Sequence, residues 1–298
     1  MKLHRIPSHL LVPIVLSLSM LMSTPFTVHA ASTPLASGAT TKTKKVFLPA
    51  ISSGKKASSP VQTPPPTSGS GPVGVPGAWT LKFADEFNGS SLDAAKWTPN
   101  WLGGSMTAIT KPINGSEQSC YDPAQVAVTG GSLKLTAVRR GCNGYGYASG
   151  IVTSSGKFTF THGYMEARVW LDGSSSVSNW PAFWADGTGT WPTTGEIDVM
   201  EGLGGSTAWH YHWGSGGGSS VGGTANMSPR TGWHTFGADW ESGAIKFYYD
   251  GKYVGQATSG VVNNPMYLIL NYGVSSSIGG PVAVPSNMLV DYVRVWQH

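Results

Sequence analysis

The sequence predicts an all-β domain, a jelly-roll β-sandwich of two packed antiparallel sheets, over residues 78–298. Three observations support this fold class. Short runs of alternating apolar and polar residues follow one another closely and are separated by Gly, Asn and Asp. The sequence sustains no helical periodicity. About 220 residues of closely spaced strands fit one sandwich better than two domains.

Six runs are the clearest predicted strands. They carry β-branched and aromatic residues in the alternating pattern that is typical of a half-buried strand. Asp250-Gly251 follows the fourth run and precedes Lys252-Tyr253-Val254, which predicts a two-residue hairpin turn. The six runs are residues 132–138, 156–160, 164–170, 244–249, 266–270 and 289–296.

Residues 1–30 have the pattern of a secretory signal peptide. Lys2 and Arg5 precede an apolar run over residues 10–22, and Ala30 ends a small-residue cleavage site. The run is short for a membrane span, and no later stretch approaches the length of one. We therefore expect a secreted, extracellular protein without stable membrane insertion.

Residues 31–77 predict a disordered linker rich in Ser, Thr, Pro and Lys, because such a composition cannot bury enough apolar surface to offset the entropy of ordering. Seven of the 19 basic residues precede Trp79, and none of the 15 acidic residues does. The remaining chain has 12 basic and 15 acidic residues, so the domain is mildly acidic. This balance argues against nucleic acid as a partner, since phosphate binding needs a clustered basic surface.

The chain has two cysteines, Cys120 and Cys142. An isolated pair in a chain that is destined for an oxidising compartment is most simply one disulfide. A catalytic thiol is the weaker interpretation, because no nearby arrangement of Cys and His supports it.

Residues 196–201 place three carboxylates in a β-branched, apolar run, where like charges raise one another's pKa. In a strand, Glu196 and Asp198 share one face by alternation, whereas Glu201 would point to the other. One bulged residue around Val199-Met200 would return Glu201 to the face of the first two acids. Three carboxylates in one row are suited to glycosidic-bond cleavage, in which one attacks the sugar and another protonates the leaving oxygen.

Two less specific interpretations of these acids are a solvated strand face and a calcium site. His210 and His212 share a face of another predicted strand, but zinc needs a third suitably spaced ligand, and none is evident. We therefore expect substrate-facing or structurally hydrogen-bonded histidines. Aromatic residues surround the acids in sequence and favour a carbohydrate cleft, since sugar rings stack on aromatic faces. They are Trp180, Phe183, Trp184, Trp191, Trp209, Tyr211 and Trp213.

Several motifs together resemble glycoside hydrolase family 16, the laminarinase and β-glucanase group, over nearly all of residues 79–298. The most specific is Trp180-Pro181-Ala182-Phe183-Trp184 followed by residues 195–201, Gly-Glu-Ile-Asp-Val-Met-Glu. The others are residues 85–89, 131–135, 149–153, 163–168, 268–271 and 291–295.

The resemblance implies a concanavalin A-like jelly roll and a role for each acid. Glu196 corresponds to the nucleophile, Asp198 to the residue that orients and tunes it, and Glu201 to the general acid/base. The extra Met200 places the sequence with the bulged, laminarinase-type members. The resemblance also implies a structural Ca²⁺ near Asp291, away from the cleft, and no cofactor for catalysis. The positions that match substrate-binding residues are Trp180, Trp184, Trp191, Arg168, His212 and Asn271.

The function that we expect is endo-acting, retaining hydrolysis of internal β-1,3 or mixed β-1,3/1,4 glucan linkages. The partner is a polysaccharide, and we expect a monomer. Retention predicts a separation of about 5 to 5.5 Å between the two catalytic carboxyl groups. The alternatives are a non-catalytic, lectin-like glycan-binding module, a transglycosylase, and a hydrolase of another polysaccharide such as a galactan, because a fold does not decide function.

Overall fold

The computed structural model describes residues 71–171, 179–203, 206–215, 218–225, 232–275 and 281–298. The predicted signal peptide, residues 1–30, and residues 31–70 of the predicted linker lie outside these ranges. The described residues contain sixteen strands and one short 3-10 turn, Pro123–Gln125. No helix among them has the length and apolarity that a membrane crossing needs.

The first eight strands are β1 (Thr80–Asp85), β2 (Ser119–Tyr121), β3 (Val126–Thr129), β4 (Ser132–Ala137), β5 (Tyr147–Ser149), β6 (Ile151–Thr153), β7 (Gly163–Leu171) and β8 (Asn179–Gly187). The other eight are β9 (Glu196–Leu203), β10 (Ser206–Trp213), β11 (Ser219–Ala225), β12 (Gly232–Glu241), β13 (Ala244–Tyr249), β14 (Lys252–Ala257), β15 (Met266–Val274) and β16 (Ser286–Gln297).

Two antiparallel sheets make up the sandwich, so the predicted fold class is confirmed. The eight-stranded sheet has the order β14-β13-β12-β7-β16-β4-β3, with β1 also paired to β16. The six-stranded sheet has the order β11-β10-β9-β8-β15-β6. A two-stranded parallel pair, β2 with β5, is separate from both.

The hydrophobic core lies between the two sheets and follows the alternation of each strand. Met165, Ala167 and Val169 of β7 are fully buried in it, as are Phe183 and Ala185 of β8. Alternate residues therefore point inward, and the intervening residues form the two outer faces of the sandwich.

Most of the predicted strands are confirmed, but residues 156–160 are not a strand. Ser154 ends the preceding segment in a turn, in which its carbonyl accepts the N–H groups of Lys157 and Phe158 at 2.9 Å. Phe160 forms only an isolated bridge to Met266. The aromatic residues that suggested a strand serve packing instead, since the ring of Phe158 stacks on that of Phe83 with centroids 4.6 Å apart.

The predicted hairpin turn at Asp250-Gly251 is confirmed. Both residues have positive φ, 48° and 70°, as a two-residue turn between twisted strands requires. The predicted disulfide is also present. It joins Cys120 of β2 to Cys142 across a sequence separation of 22, with the Cα atoms 6.0 Å apart.

The end of the predicted linker packs on the domain. Pro72 is buried, and the N–H of Val73 donates to Oε2 of Glu166 on β7 at 3.0 Å. Trp79 Nε1 donates to the carbonyl of Val75 at 3.1 Å. The last residues of the segment that the sequence assigns to the linker therefore contact the domain. Composition does not reveal this contact, because Val73 and Glu166 are 93 residues apart in sequence.

Candidate active site

The three acids of β9 lie in a cleft on the outer face of the six-stranded sheet. The cleft has a volume of about 720 Å³ and is bounded by β8 and β10 on either side of β9. Its residues include aromatic rings, carboxylates and two histidines, the combination that binds polar rings with apolar faces. They are Trp101, Ile113, Asn114, Glu117, Trp180, Ala182, Trp184, Asp186, Trp191, Glu196, Asp198, Glu201, His210, His212, Ser220 and Asn271.

A β-bulge brings the third carboxylate to the cleft, as the sequence predicts. The register of β9 shifts between Asp198 and Glu201 against both neighbouring strands. Val199 and Met200 are consecutive residues, yet both are fully buried in the core. The alternation therefore restarts after Met200, and Glu201 points outward with Asp198.

Tyr249 of the opposite sheet stabilises this bulge. Its hydroxyl lies 3.1 Å from the carbonyl oxygen of Val199 and 2.9 Å from that of Ala208 on β10. Both carbonyls are at the point where the ladder between β9 and β10 is irregular. Because a bulge leaves a backbone group without its ladder partner, the tyrosine replaces a hydrogen bond that the sheet cannot make.

Both carboxylate oxygens of Glu201 have partners. Trp180 Nε1 donates to Oε1 at 3.0 Å, and His210 Nδ1 lies 2.5 Å from Oε2. Glu201 is buried, whereas His210 is only partly buried. The carboxyl group is therefore fixed from two neighbouring strands, β8 and β10, with its orientation set before any ligand binds.

Glu196 and Asp198 share a histidine. His212 Nε2 lies 3.3 Å from Asp198 Oδ2 and 3.8 Å from Glu196 Oε1. Burial raises the pKa of both carboxyl groups, and the charge of Asp198 raises the pKa of Glu196 further. The pair therefore favours one negative charge over two, and His212 opposes part of the increase at Glu196.

A chain of hydrogen bonds runs behind the cleft wall. Trp184 Nε1 donates to Asn271 Oδ1 at 2.8 Å, and Asn271 Nδ2 donates to the hydroxyl of Tyr121 at 2.9 Å. That hydroxyl donates to Glu117 Oε2 at 2.6 Å. The ring of Trp101 stacks on Trp184 with centroids 5.7 Å apart. Asn271 thus fixes the tryptophan plane, and Trp101 extends the aromatic surface.

Trp191 is the most solvent-accessible ring of the cleft. It is 54% exposed, and its centroid lies 6.2 Å from that of His212. An exposed tryptophan beside buried acids is available to a ligand without rearrangement of the core. Trp180, Trp184, Trp191, His212 and Asn271 all line the cleft, as the sequence predicts.

The structure corrects the prediction that Arg168 binds substrate in this cleft, because Arg168 does not line it. It lies on β7 in the eight-stranded sheet, where Nη1 donates to Asp291 Oδ2 of β16 at 2.5 Å and the guanidinium lies 5.0 Å from the ring of Trp233. The family resemblance alone suggested Arg168 as a substrate-binding residue. It did not show that the strand belongs to the sheet opposite the acids.

The surroundings of Asp291 do not fit a calcium site built from side chains. Its carboxylate faces a guanidinium, whereas Ca²⁺ takes several oxygen ligands. Two groups of described side chains do have donor atoms within 4.8 Å of one another, Glu196–Asp198–His212 and Asp198–Glu201–His210, and neither includes Asp291. Hydrogen bonds and ion pairs among their own members account for this closeness. Structural calcium and metal-free catalysis both stay predictions.

Sequence reasoning missed several cleft residues. Asp186 lies on β8 opposite Glu196, and Tyr267 of β15 holds it. Glu117 and Trp101 belong to segments outside the two main sheets and have no periodic signal. His210 was placed on the face of His212 by alternation, but its contact with Glu201 depends on the bulge, which shifts the register between β9 and β10.

The comparisons with known proteins agree on the family of the chain. The model described as "Glycosyl hydrolases family 16" matches residues 114–282. The endo-1,3-1,4-beta-glycanase ExsH of Rhizobium meliloti is 29% identical over 238 residues, which are 72% of this chain and 51% of that protein. The keratan-sulfate endo-1,4-beta-galactosidase of Sphingobacterium multivorum is 31% identical over 244 residues, 74% of this chain and 55% of that protein.

The same agreement holds in three dimensions. The X-ray structure of an endo-beta-1,3-glucanase from Pyrococcus furiosus superposes with a TM-score of 0.63 at 29% identity, covering 74% of this chain and 94% of that one. The chain spans about half the length of the two curated relatives.

Proposed function

The chain belongs to glycosyl hydrolase family 16, and from this premise we propose that it is an endo-acting, retaining β-glucanase that hydrolyses internal β-1,3 or mixed β-1,3/1,4 linkages. The observation that carries the proposal is the row of Glu196, Asp198 and Glu201 on one face of β9, which the bulge at Val199-Met200 makes possible. The activities that name the Rhizobium and Pyrococcus proteins support the choice of a β-glucan.

In the first step, a carboxylate oxygen of Glu196 attacks the anomeric carbon. The bond from that carbon to the glycosidic oxygen breaks, and the proton of Glu201 passes to the leaving oxygen. The contacts of Trp180 and His210 with Glu201 fix the direction from which this proton arrives. A fixed proton donor accelerates bond cleavage because it removes the need to orient the group during reaction.

In the second step, water attacks the anomeric carbon of the glycosyl-enzyme. Glu201 takes one proton from the water, the bond from the sugar to Glu196 breaks, and the product leaves with its original anomeric configuration. Asp198 serves both steps. Burial raises the pKa values of Asp198 and Glu196 alike, so the two carboxyl groups favour one negative charge between them, and in the attacking form Asp198 holds the proton while Glu196 is ionised.

The electrostatics of the cleft favour a neutral polysaccharide. The described residues that line it include carboxylates from β8, β9 and the segment before β2, but neither Lys nor Arg. A sulfated or uronate-rich chain would therefore enter against like charge. The proposed substrate therefore differs from keratan sulfate, on which the Sphingobacterium relative acts.

Reducing-end release from a panel of polymers tests the proposal. We expect the wild type to turn over a neutral β-1,3-glucan or mixed-linkage glucan and to show little activity on a sulfated galactan. NMR of the wild-type reaction should show the β-anomer of the product first. Glu196→Gln should show no measurable turnover. Wild-type rates in Glu196→Gln would refute the assignment. If the wild type binds a polysaccharide without releasing reducing ends, the lectin-like alternative is favoured. If the products are longer than the starting oligosaccharide, a transglycosylase is favoured.

We also propose that the mature chain is extracellular and monomeric. The signal-like pattern of residues 1–30 supports export. N-terminal sequencing of the protein recovered from culture medium tests cleavage after Ala30. Light scattering tests the monomer.

A further inference from the structure

A fourth carboxyl group, Asp186, lies beside the proposed nucleophile. Asp186 of β8 and Glu196 of β9 are direct partners in the ladder between these strands. Side chains of directly paired residues lie on the same face of a sheet, with Cβ atoms about 5 Å apart. Both residues line the cleft, and Asp186 is 8% exposed. Two acids thus face each other in a poorly hydrated place.

Tyr267 fixes this carboxyl group from the other side. It is the ladder partner of Asp186 on β15, and its hydroxyl donates to Oδ2 at 2.8 Å. The other oxygen, Oδ1, is buried and has no hydrogen-bond partner in the described structure. Asp186 is therefore held in place but incompletely stabilised as an anion, which makes its charge sensitive to its neighbours.

The titratable groups that face Asp186 and Glu196 from the neighbouring strands are one carboxyl group, one phenol and one imidazole. Asp198 comes from β9, Tyr267 from β15 and His212 from β10, and the described residues that line the cleft add no Lys or Arg. His212 is the nearest basic group, and its Nε2 is closer to Asp198 than to Glu196. Little positive charge is available to screen Asp186 from Glu196.

We propose that Asp186, oriented by Tyr267, is a positioning residue that sets how readily Glu196 ionises and thereby fixes the acidic limb of the pH–rate profile. The inference rests on the proposed function, in which Glu196 must be ionised to attack. Asp186 touches neither the sugar nor the leaving group in this role and acts only through Glu196.

The titration behaviour of the pair is consistent with this geometry. Burial, followed by the charges of Asp198 and Asp186, raises the pKa of Glu196. Burial raises the pKa of Asp186 to about 6, and the hydrogen bond from Tyr267 opposes part of that increase. Ionised Asp186 therefore disfavours ionised Glu196, and this effect fades as the pH falls through the pKa of Asp186.

The pH dependence of kcat/KM on a soluble neutral β-1,3-glucan tests the inference. Asp186→Asn keeps the shape but removes the charge, so we expect the acidic limb to move to lower pH by about one pH unit, the order of effect of one neighbouring like charge in a partly hydrated site. Tyr267→Phe should move the limb in the same direction by less, because Asp186 without its donor stays protonated over a wider pH range. The double variant should behave like Asp186→Asn alone.

Asp239→Asn is the matched control. Asp239 is also a carboxyl group with a buried, unpartnered Oδ1 and a pKa raised by burial, but it lies on β12 in the other sheet. Its replacement should leave the limb unchanged. If the wild type is active and the acidic limb of the pH–rate profile is the same in Asp186→Asn, Tyr267→Phe and the wild type, the inference is overturned. If the wild type shows no turnover, the proposed function is overturned instead. If Asp186→Asn does not fold, Tyr267→Phe alone decides.

Discussion

His210 Nδ1 lies 2.5 Å from Oε2 of Glu201, the shortest contact that either histidine of β10 makes with a carboxylate of β9. The contact crosses the point where the register between the two strands shifts. The bulge thus does two things at once: it turns Glu201 outward, and it brings Glu201 within reach of a histidine whose direct ladder partner is Asp198.

Replacing His210 should slow the chemical step. In His210→Gln we expect kcat to fall roughly 10- to 100-fold, because a hydrogen bond to an ionisable group contributes about 1.5–3 kcal/mol. Steady-state kinetics on a soluble β-glucan give the value. His234→Gln is the control, since His234 makes an equivalent contact, 2.8 Å to Asp250, in the eight-stranded sheet. Equal kcat values for the two variants would contradict the role of His210.

Replacing Trp191 should weaken substrate binding without loss of stability. The ring is 54% exposed, so Trp191→Ala removes little core packing. We expect KM to rise roughly fivefold, in line with an aromatic contact of about 1 kcal/mol, and Tm to stay the same. Tyr253→Ala removes a ring of similar exposure from β14 in the other sheet and should change neither quantity. An unchanged KM in Trp191→Ala would exclude the ring from the substrate path.

Removing the disulfide should lower stability. A loop closed across 22 residues stabilises by about 3 kcal/mol in the chain-entropy model, so Cys120→Ser/Cys142→Ser should melt roughly 6–12 °C below the wild type. Cys120 precedes Tyr121, which bonds Asn271 behind the cleft, so KM should rise as well. Thermal unfolding with and without a reductant measures the effect. A reductant-insensitive wild type with the Tm of the double variant would mean that the bond does not form.

Removing the buried hydroxyl of Tyr249 should lower both the free energy of unfolding and kcat. In Tyr249→Phe the carbonyls of Val199 and Ala208 lose a donor, which costs about 1–3 kcal/mol for buried acceptors. We expect a lower midpoint in urea and a lower kcat, because the bulge that orients Glu201 is loosened. Tyr248→Phe, on the opposite face of β13, is the control. A normal kcat with reduced stability would show that the bulge keeps its shape without the tyrosine.

The sequence was sufficient to place the three acids of β9 on one face of the strand. Strict alternation predicts that Glu201 points away from Glu196 and Asp198. One bulged residue at Val199-Met200 restores the common face, so the sequence alone predicts where the strand is irregular. The sandwich was predictable for the same reason, since strand periodicity is a local property of the chain.

Contacts between distant strands were not predictable in this way. Arg168 and Trp184 both looked like cleft residues, but only strand order shows that β7 and β8 lie in different sheets. The pairing of Asp186 with Tyr267 likewise depends on β15 lying next to β8, although 81 residues separate the two side chains. The strand predicted at residues 156–160 is wrong for a local reason. The aromatic residues there resemble a strand pattern, but the backbone hydrogen bonds form a turn.

Because Val199 and Met200 are both buried, the deletion of one of them would restore a regular strand. Deleting Met200 would leave Glu196, Asp198 and the former Glu201 at alternate positions of a regular strand, all still on the cleft side. The main penalty would be an interior space the size of a methionine side chain, about 2–5 kcal/mol in stability. A chain with the shorter strand would thus keep its three carboxylates in one row on the cleft side.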